Sequence, residues 1–265
     1  MKIEKAFFIN RISDLQKSLV YDRLYYGHEF CEYLLPSENE FKQILDFVIA
    51  HNLPFTFATP TISNDKINLL DKLIDTAAEK ASILNKFEIV VNDFGVLSLI
   101  RQKNIQNTAI AAGRLMTKQK RDPRIKYISA LSESAKNYYM SFSLDSAHNL
   151  DFIRDFNIQR FELDNVAQGI IRQSKIPASL YTPFCYISTT KLCYLAQTDK
   201  KERYLREKCE CFMECRNYDV YMKNDKMKTD LYLKGNTIFY RNDVLDKNLH
   251  ENYIDRIVHT ENLLK

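Results

Sequence analysis

Residues 23–59, RLYYGHEFCEYLLPSENEFKQILDFVIAHNLPFTFAT, contain the pattern that decides the fold class. Short runs rich in aromatic and β-branched residues at Arg23–Gly27 and Pro54–Thr59 are typical of buried strands. Between them, Glu38–Ala50 has apolar residues at three- and four-residue spacing, which predicts a helix. The letters SENE at its start form a capping-box pattern. The order strand, helix, strand predicts a crossover between two parallel strands.

The same alternation continues along the chain. Ile67–Leu84 and Asn149–Phe156 have helical spacing, and a further strand-like run lies near Ser179–Ser188. Eight strands in this order suit an α/β fold of the (β/α)8 TIM-barrel type. The alternative is an open doubly wound sheet, but no glycine-rich phosphate loop follows any strand. The other predicted strands are Ala6–Asn10, Phe87–Asn92, Thr108–Ala112, Tyr139–Leu144 and Arg160–Leu163.

The pattern changes toward the C-terminus. Apolar and polar residues alternate in Asp219–Met222 and Thr229–Tyr240, as they do in strands. Within the second run, Lys234-Gly235-Asn236 predicts a hairpin turn. Tyr253–Leu264 predicts a closing helix. We therefore expect one barrel-like domain followed by a terminal β-hairpin and helix. Its bounds are 1–265 for the whole domain, 185–218 for a cysteine-bearing segment and 219–265 for a C-terminal extension.

Composition sets limits on the class of protein. The chain has 265 residues, of which 45% are apolar, and only 5 Gly and 6 Pro, so long flexible linkers are not expected. Its net charge of +4 is too weak to indicate nucleic-acid binding by itself. No run approaches the roughly 18 apolar residues of a membrane span. The N-terminal MKIEKAFFIN is too charged for a signal peptide. We expect a cytoplasmic protein without a membrane span.

Hydrolase motifs are absent from the sequence. There is no G-x-S-x-G motif. His28-Glu29 is followed by Glu32, which gives HExxE where a zinc protease requires HExxH. Peptidase activity therefore has no support in the motifs.

The cysteines are the most informative residues. Five of the six fall between positions 185 and 215, and disulfides are rare in the cytoplasm, so reduced thiols, a metal or redox chemistry are expected. In an α/β barrel the carboxyl ends of the strands converge on one face, so a cysteine early in the chain can meet cysteines late in the chain. The six are Cys31, Cys185, Cys193, Cys209, Cys211 and Cys215.

Four thiolates suit either a [4Fe–4S] cluster or a structural zinc ion. Cys193, Cys211 and Cys215 read C-x17-C-x3-C, and Cys31 follows the second predicted strand. Structural zinc sites usually use two short knuckles, whereas only one short knuckle is present here, so the spacing favours the cluster. The alternative for Cys31 and for Cys185 is a buried small hydrophobe, and for Cys185 it is the better explanation. Cys209 is expected to point away from Cys211 on an extended segment.

Several segments resemble the UbiV-like branch of the collagenase-like (U-type) peptidase family. This resemblance implies a barrel fold, a [4Fe–4S] cluster and a role in oxygen-independent hydroxylation, either of a ubiquinone precursor or of RNA bases, with prephenate as the oxygen source. It also implies a family-related partner in a heterodimer, or a homo-oligomer. The segments are RLYYGHEFC (Arg23–Cys31), NDFG (Asn92–Gly95), RFELDN (Arg160–Asn165), TTKLCYLA (Thr189–Ala196) and CFMECRNY (Cys211–Tyr218).

The resemblance implies the cluster ligands Cys31, Cys193, Cys211 and Cys215. Other branches of the family take a ligand from a cysteine a few residues before the one that matches Cys193. Cys185 lies eight residues before it and is therefore the alternative to Cys31. A zinc ion remains the alternative to the cluster.

Other candidate site residues lie at or near the ends of predicted strands. Glu29, Asp93 and Glu162 are candidates for a catalytic acid or base. Arg114 and Asn92 are candidates for substrate binding, because an arginine can hold a dicarboxylate such as prephenate through two parallel hydrogen bonds. The alternative for each residue is a salt bridge or a helix cap at the rim of the barrel.

Three functions are compatible with these residues. The first is a role in oxygen-independent hydroxylation of a small aromatic or quinone-type substrate. The second is a non-enzymatic iron–sulfur or zinc partner protein that serves a catalytic subunit. The third is an RNA base hydroxylation enzyme, in which the basic segment 113–125 contacts phosphates through Lys118, Lys120, Arg121 and Arg124.

Overall fold

The computed structural model describes residues 2–197, 211–223, 225, 227–246 and 248–264. Within these residues, the strands are β1 (Glu4–Ile9), β2 (Arg23–Gly27), β3 (Phe55–Ala58), β4 (Glu88–Val91), β5 (Ala109–Ala112), β6 (Ile158–Asp164), β7 (Ala178–Thr182), β8 (Phe184–Thr189), β9 (Val220–Met222), β10 (Leu231–Lys234), β11 (Thr237–Arg241) and β12 (Ile254–His259). The α-helices are α1 (Glu38–Ala50), α2 (Ile67–Lys80), α3 (Phe94–Lys103), α4 (Arg114–Thr117), α5 (Glu133–Met140) and α6 (Leu150–Asp155).

Eight parallel strands close into a barrel. Their order around the barrel is β1, β12, β7, β6, β5, β4, β3 and β2, and β2 pairs back onto β1. Every neighbouring pair is parallel. The predicted α/β barrel is thereby confirmed, and closure of the sheet excludes the open doubly wound alternative.

The first helix shows why the local sequence predicts its own structure. The backbone N–H of Glu40 donates to the hydroxyl of Ser37 at 3.3 Å, and the Ser37 N–H donates to the Glu40 carboxylate at 3.0 Å. This capping box satisfies donors that a helix N-terminus otherwise leaves unpaired. The helix spans the predicted range and buries Phe41, Ile44 and Val48 against the core. Among the described helices, none has the length and apolarity of a membrane span.

The barrel interior combines an apolar cluster with buried charge. At the amino end of the strands, the guanidinium of Arg256 donates to Glu88 at 2.8 Å and to Glu4 at 2.5 Å, and Arg23 donates to Glu4 at 3.0 Å. Burial of charge is tolerated there because each group has a partner. The apolar cluster consists of Ala6, Phe8, Tyr25, Ala58, Val90, Ala111, Tyr181 and Val258.

A second, antiparallel sheet has the strand order β8, β11, β10, β9. The predicted hairpin is confirmed: β10 and β11 pair directly, and Gly235 at the turn has φ +61°. An aromatic cluster of Phe30, Phe184, Tyr186 and Phe239 joins this sheet to the segment that follows β2. The sheet is therefore packed against the end of the barrel at which the candidate site lies.

Two predicted elements are wrong. Tyr253–Leu264 contains the strand β12 and a 3-10 turn at Glu261–Leu264, where we expected a helix, because the edges of β1 and β7 need a strand between them to close the barrel. Tyr139–Leu144, a predicted strand, contains the end of α5 and a 3-10 turn, and only Phe142 forms an isolated bridge.

The run Ser179–Ser188 contains two strands, not one. Pro183 separates β7, which belongs to the barrel, from β8, which belongs to the second sheet. Proline has no N–H to donate to a ladder, so it marks the point at which the chain leaves one sheet for the other.

Candidate metal centre

Four cysteines line one cavity of about 260 Å³. Cys31 follows β2 directly before a 3-10 turn, and Cys193 follows β8. Cys211 and Cys215 lie in the segment that leads to β9, with Cys215 inside a 3-10 turn at Glu214–Arg216. The structure thus brings together residues that are as far apart in sequence as positions 31 and 215.

The thiols influence one another electrostatically. Burial, together with the neighbouring Cys215, Cys211 and Cys193, raises the pKa of the Cys31 thiol to about 12. Burial and the nearby cysteines also raise the pKa of Cys215 to about 11. Without a cation these sulfurs stay protonated at neutral pH. A metal centre would displace the protons because the thiolate is the form that coordinates metals.

Asn236 connects the segments that carry the cysteines. Its side-chain amide donates to the carbonyl of Phe30 at 2.8 Å and to the carbonyl of Thr190 at 2.6 Å. Phe30 precedes Cys31, and Thr190 lies three residues before Cys193. The turn that contains Asn236 therefore fixes two of the four cysteine positions.

Gly235 leaves room beside a third cysteine. A Cβ at this position would lie 3.3 Å from the Cβ of Cys215 and 3.6 Å from its Sγ. Its positive φ is also a conformation that residues with a Cβ rarely adopt. The sequence predicts a hairpin at this turn but does not indicate that the turn belongs to the site.

The residues fit an iron–sulfur group by donor chemistry and by room. Four thiols are the donor set that such clusters use. All four cysteines line one cavity, and the described part of the chain contains no group of three or more His, Cys, Asp or Glu side chains that could hold a single metal ion as it stands.

The remaining cysteines differ from these four. Cys185 is fully buried, its S–H donates to the carbonyl of Asn165 at 2.8 Å, and it does not line the cysteine cavity. Burial raises its pKa well above the usual range. The structure therefore does not bring the alternative ligand Cys185 to the other cysteines. Cys209 lies outside the described residues.

Three predicted site residues belong to a buried ion-pair network or border it. The Arg114 guanidinium donates to Glu29 at 3.1 Å and to Asp164 at 2.9 Å, and its side chain is only 3% exposed. Arg121, from the basic segment, donates to the other oxygen of Asp164 at 2.6 Å. Glu162 lies deeper in the barrel and accepts from the hydroxyl of Ser179 at 3.0 Å.

Burial raises the pKa of Glu162 to about 8, with the charge of Glu88 adding to the effect. Burial therefore favours the protonated form of this carboxyl in the folded protein. The predicted catalytic roles of Glu29 and Glu162, and the predicted substrate contact of Arg114, stay predictions. In the structure Glu29 and Arg114 pair with each other.

Asn92 and Asp93 lie at the end of β4. The amide of Asn92 donates to the carbonyl of Thr59 at 3.0 Å and accepts from the N–H of Leu115 at 2.9 Å. Asp93 caps α3 by accepting from the N–H of Gly95 at 2.7 Å. Both residues thus have structural partners, as the salt-bridge and cap alternative anticipated.

A second cavity, of about 470 Å³, shares a wall with the first. Phe30, Cys31 and Asn236 line both cavities. The half-exposed rings of Tyr33 and Phe94 border the second cavity. It is built from loops that follow the barrel strands, the usual location of substrate sites in such folds. Its other lining residues include Asn92, Asp93, Met116, Lys118 and Lys191.

The basic segment is mostly turned inward or paired. Arg121 is buried, and Arg124 is paired with Asp122 at 2.6 Å. The ammonium of Lys120 donates to the carbonyl of Ser141 at 3.0 Å. Lys118 is exposed at the mouth of the second cavity.

Comparisons with known proteins assign no family to this chain. No protein-family model matches the sequence, and no curated protein sequence matches it. Among solved structures, the chain is similar to the U32 peptidase Mk0906, with 9% identity and a TM-score of 0.46 over 98% of this chain and 92% of that chain. It is also similar to the spore cortex-lytic enzyme SleL of Bacillus megaterium QM B1551, with 9% identity and a TM-score of 0.39 over 100% of this chain and 71% of that one. Likeness at this level supports no statement about activity.

Proposed function

We propose that this chain is an iron–sulfur protein in which Cys31, Cys193, Cys211 and Cys215 bind one [4Fe–4S] cluster. The observation that carries the proposal is the cavity that these four cysteines line together. The proposed role is participation in oxygen-independent hydroxylation of a small aromatic or quinone-type substrate, with a family-related partner subunit. Such a cluster supplies one-electron transfer when it is bound.

The residues around the cysteines support this assignment because they position the cysteines or leave room beside them. Asn236 holds the backbone before Cys31 and before Cys193, and Gly235 leaves space at Cys215. Partners that orient ligands in this way are a general requirement of metal sites. Because burial raises the pKa values of the Cys31 and Cys215 thiols, a cationic centre must bind strongly enough to displace their protons.

The second cavity supports the substrate part of the proposal. At about 470 Å³ it lies within the range of small-molecule sites. Tyr33 and Phe94 offer aromatic faces to a planar ring, and Lys118 and Lys191 offer positive charge to an acidic substituent. Because Cys31 lies in the shared wall, a substrate in this cavity would be adjacent to the cysteine cavity. Prephenate, the proposed oxygen source, carries two carboxylates that these lysines suit.

Cysteine variants test the proposal. Each of the four single Cys→Ala variants, purified without oxygen, is expected to lose most of its iron and sulfide and its absorption near 400 nm. Cys185→Ala is the matched control, because Cys185 is buried away from the cavity, and it should retain the iron content of the wild type. Equal iron content in all five variants would contradict the proposal, and about one zinc per chain without sulfide would replace it with a zinc site.

A further inference from the structure

Two helices on one side of the barrel carry a row of aromatic side chains. The ring of Phe94, on α3, meets the ring of Phe152, on α6, edge to face with 5.8 Å between the centroids. Phe152 meets Phe156, the residue after α6, at 4.8 Å. Two turns further along α3, the guanidinium of Arg101 lies 5.0 Å from the centroid of the Phe156 ring. The two helices therefore lie side by side and run in the same direction.

These side chains form an apolar surface that the described residues leave open to solvent. We define the α3–α6 face as Phe94, Leu150, Phe152 and Phe156. Phe94 is 63% exposed and Leu150 is 45% exposed, while Phe152 and Phe156 are half-buried and also pack against the barrel core. Contiguous exposed apolar surface of this kind is typical of an interaction site, whereas apolar residues scattered singly are not.

The charged side chains of the two helices indicate what this face binds. The ammonium of Lys103 is paired with a carboxylate of α2 at 2.8 Å, and Arg154 is paired with Asp151 at 2.5 Å. The other two charged residues of these helices, Arg101 on α3 and Asp155 on α6, are exposed and have no salt bridge in the part of the chain that the structure describes. Both lie at the Phe156 end of the face. One free cation and one free anion on neighbouring helices make the face complementary to itself in charge.

We infer that the α3–α6 face binds a second copy of this chain in a two-fold symmetric dimer. In such a dimer the same surface of both copies meets, so each contact between two residues occurs twice. A two-fold axis parallel to the helices places α3 of one copy against α6 of the other at the same level. Arg101 of each copy then meets Asp155 of the other, and Phe94 meets Leu150. Because Phe94 also borders the second cavity, the second copy lies beside the proposed substrate site.

Sedimentation equilibrium of the full chain tests the inference. The wild type is expected to form a dimer with twice the mass of the chain. Phe94→Glu should weaken the dimer about thirtyfold or more, the loss expected for an aromatic residue that anchors an interface. Ile83→Glu is the matched control, because Ile83 is 61% exposed but follows α2 and lies outside the α3–α6 face, so this variant should dimerise like the wild type.

Charge reversal distinguishes a second copy from any other partner. Arg101→Asp and Asp155→Arg should each weaken the dimer at least about tenfold, because each variant places like charges opposite one another at two points. The double variant restores both pairs with their signs exchanged and should recover most of the wild-type affinity. Such recovery requires that the two residues face each other across the two-fold axis.

A folded wild type that stays monomeric at the highest concentration that keeps it in solution would overturn the inference. So would a dimer that Phe94→Glu and Ile83→Glu affect equally, or single charge reversals that the double variant does not rescue although all variants melt like the wild type. Dimerisation is measured with or without iron. A monomer that loads iron would therefore refute this inference alone, and a dimer that loads none would refute the proposed function alone.

Discussion

Replacing Arg114 with methionine distinguishes a structural arginine from a substrate-binding one. The Arg114 guanidinium lies between Glu29 and Asp164 and is almost completely buried. Although burial alone would lower it, these two carboxylates hold the pKa of Arg114 well above its ordinary value. The charge is therefore permanent, and the two acids depend on it to different extents.

The size of the effect follows from the partners that remain. Without Arg114, Asp164 keeps its bond to Arg121, but Glu29 keeps no other hydrogen-bond donor among the described residues. Leaving one buried carboxylate uncompensated costs about 3–5 kcal/mol. For a chain of this size, that loss corresponds to a melting temperature lower by roughly 10 °C.

Thermal unfolding followed by circular dichroism measures this loss. Arg124→Met is the matched control, since Arg124 lies in the same segment but is exposed, and its melting temperature should change little. Glu29→Gln combined with Arg114→Met should recover part of the lost stability, because the double variant has no stranded carboxylate at position 29. If Arg114→Met melts like the wild type yet loses affinity for a dicarboxylate, the structural explanation is wrong.

Two further predictions follow from buried groups. Glu162 has a pKa of about 8 in the folded protein, against an ordinary 4.5. Between these two pH values the folded state binds one proton more than the unfolded state. The contribution of this carboxyl to the free energy of unfolding therefore falls as pH rises from 4.5 to 8. Urea unfolding at pH 5, 6.5 and 8 should therefore show Glu162→Gln gaining stability relative to the wild type as pH rises, and a pH-independent difference would contradict this. Asn236→Leu removes three side-chain hydrogen bonds and leaves the carbonyls of Phe30 and Thr190 without this donor, a loss of about 2–3 kcal/mol. It should also lower iron content after anaerobic reconstitution. Asn248→Leu, on the exposed loop before β12, is its control, and equal iron content in the two variants would count against the positioning role of Asn236.

Local signals predicted much of the barrel. The capping box and apolar spacing of α1 lie within a few residues of each other, so the sequence around Ser37 was sufficient to place the helix. The local sequence does not predict the strand β12, because the residues that impose it lie far away in the chain. Its apolar residues Ile254, Ile257 and Val258 have helical spacing, and only its two neighbours, which lie far away in sequence, impose the strand.

In the candidate site, too, some features follow from the sequence and others do not. Barrel topology predicted that Cys31 could meet the late cysteines, and the structure places Cys31, Cys193, Cys211 and Cys215 on one cavity. The burial and pairing of Arg114 could not be predicted, because its partners come from other segments of the chain. Asn236 was overlooked since a hairpin turn explained its residue type completely.

The iron and sulfide content of the protein purified without oxygen tests the central claim most directly. If the four cysteines hold one cluster, the chain should contain about four iron and four sulfide, with an absorption band near 400 nm that bleaches on reduction. A chain that takes up neither iron nor sulfide after anaerobic reconstitution, while folded as judged by its melting temperature, would contradict the claim.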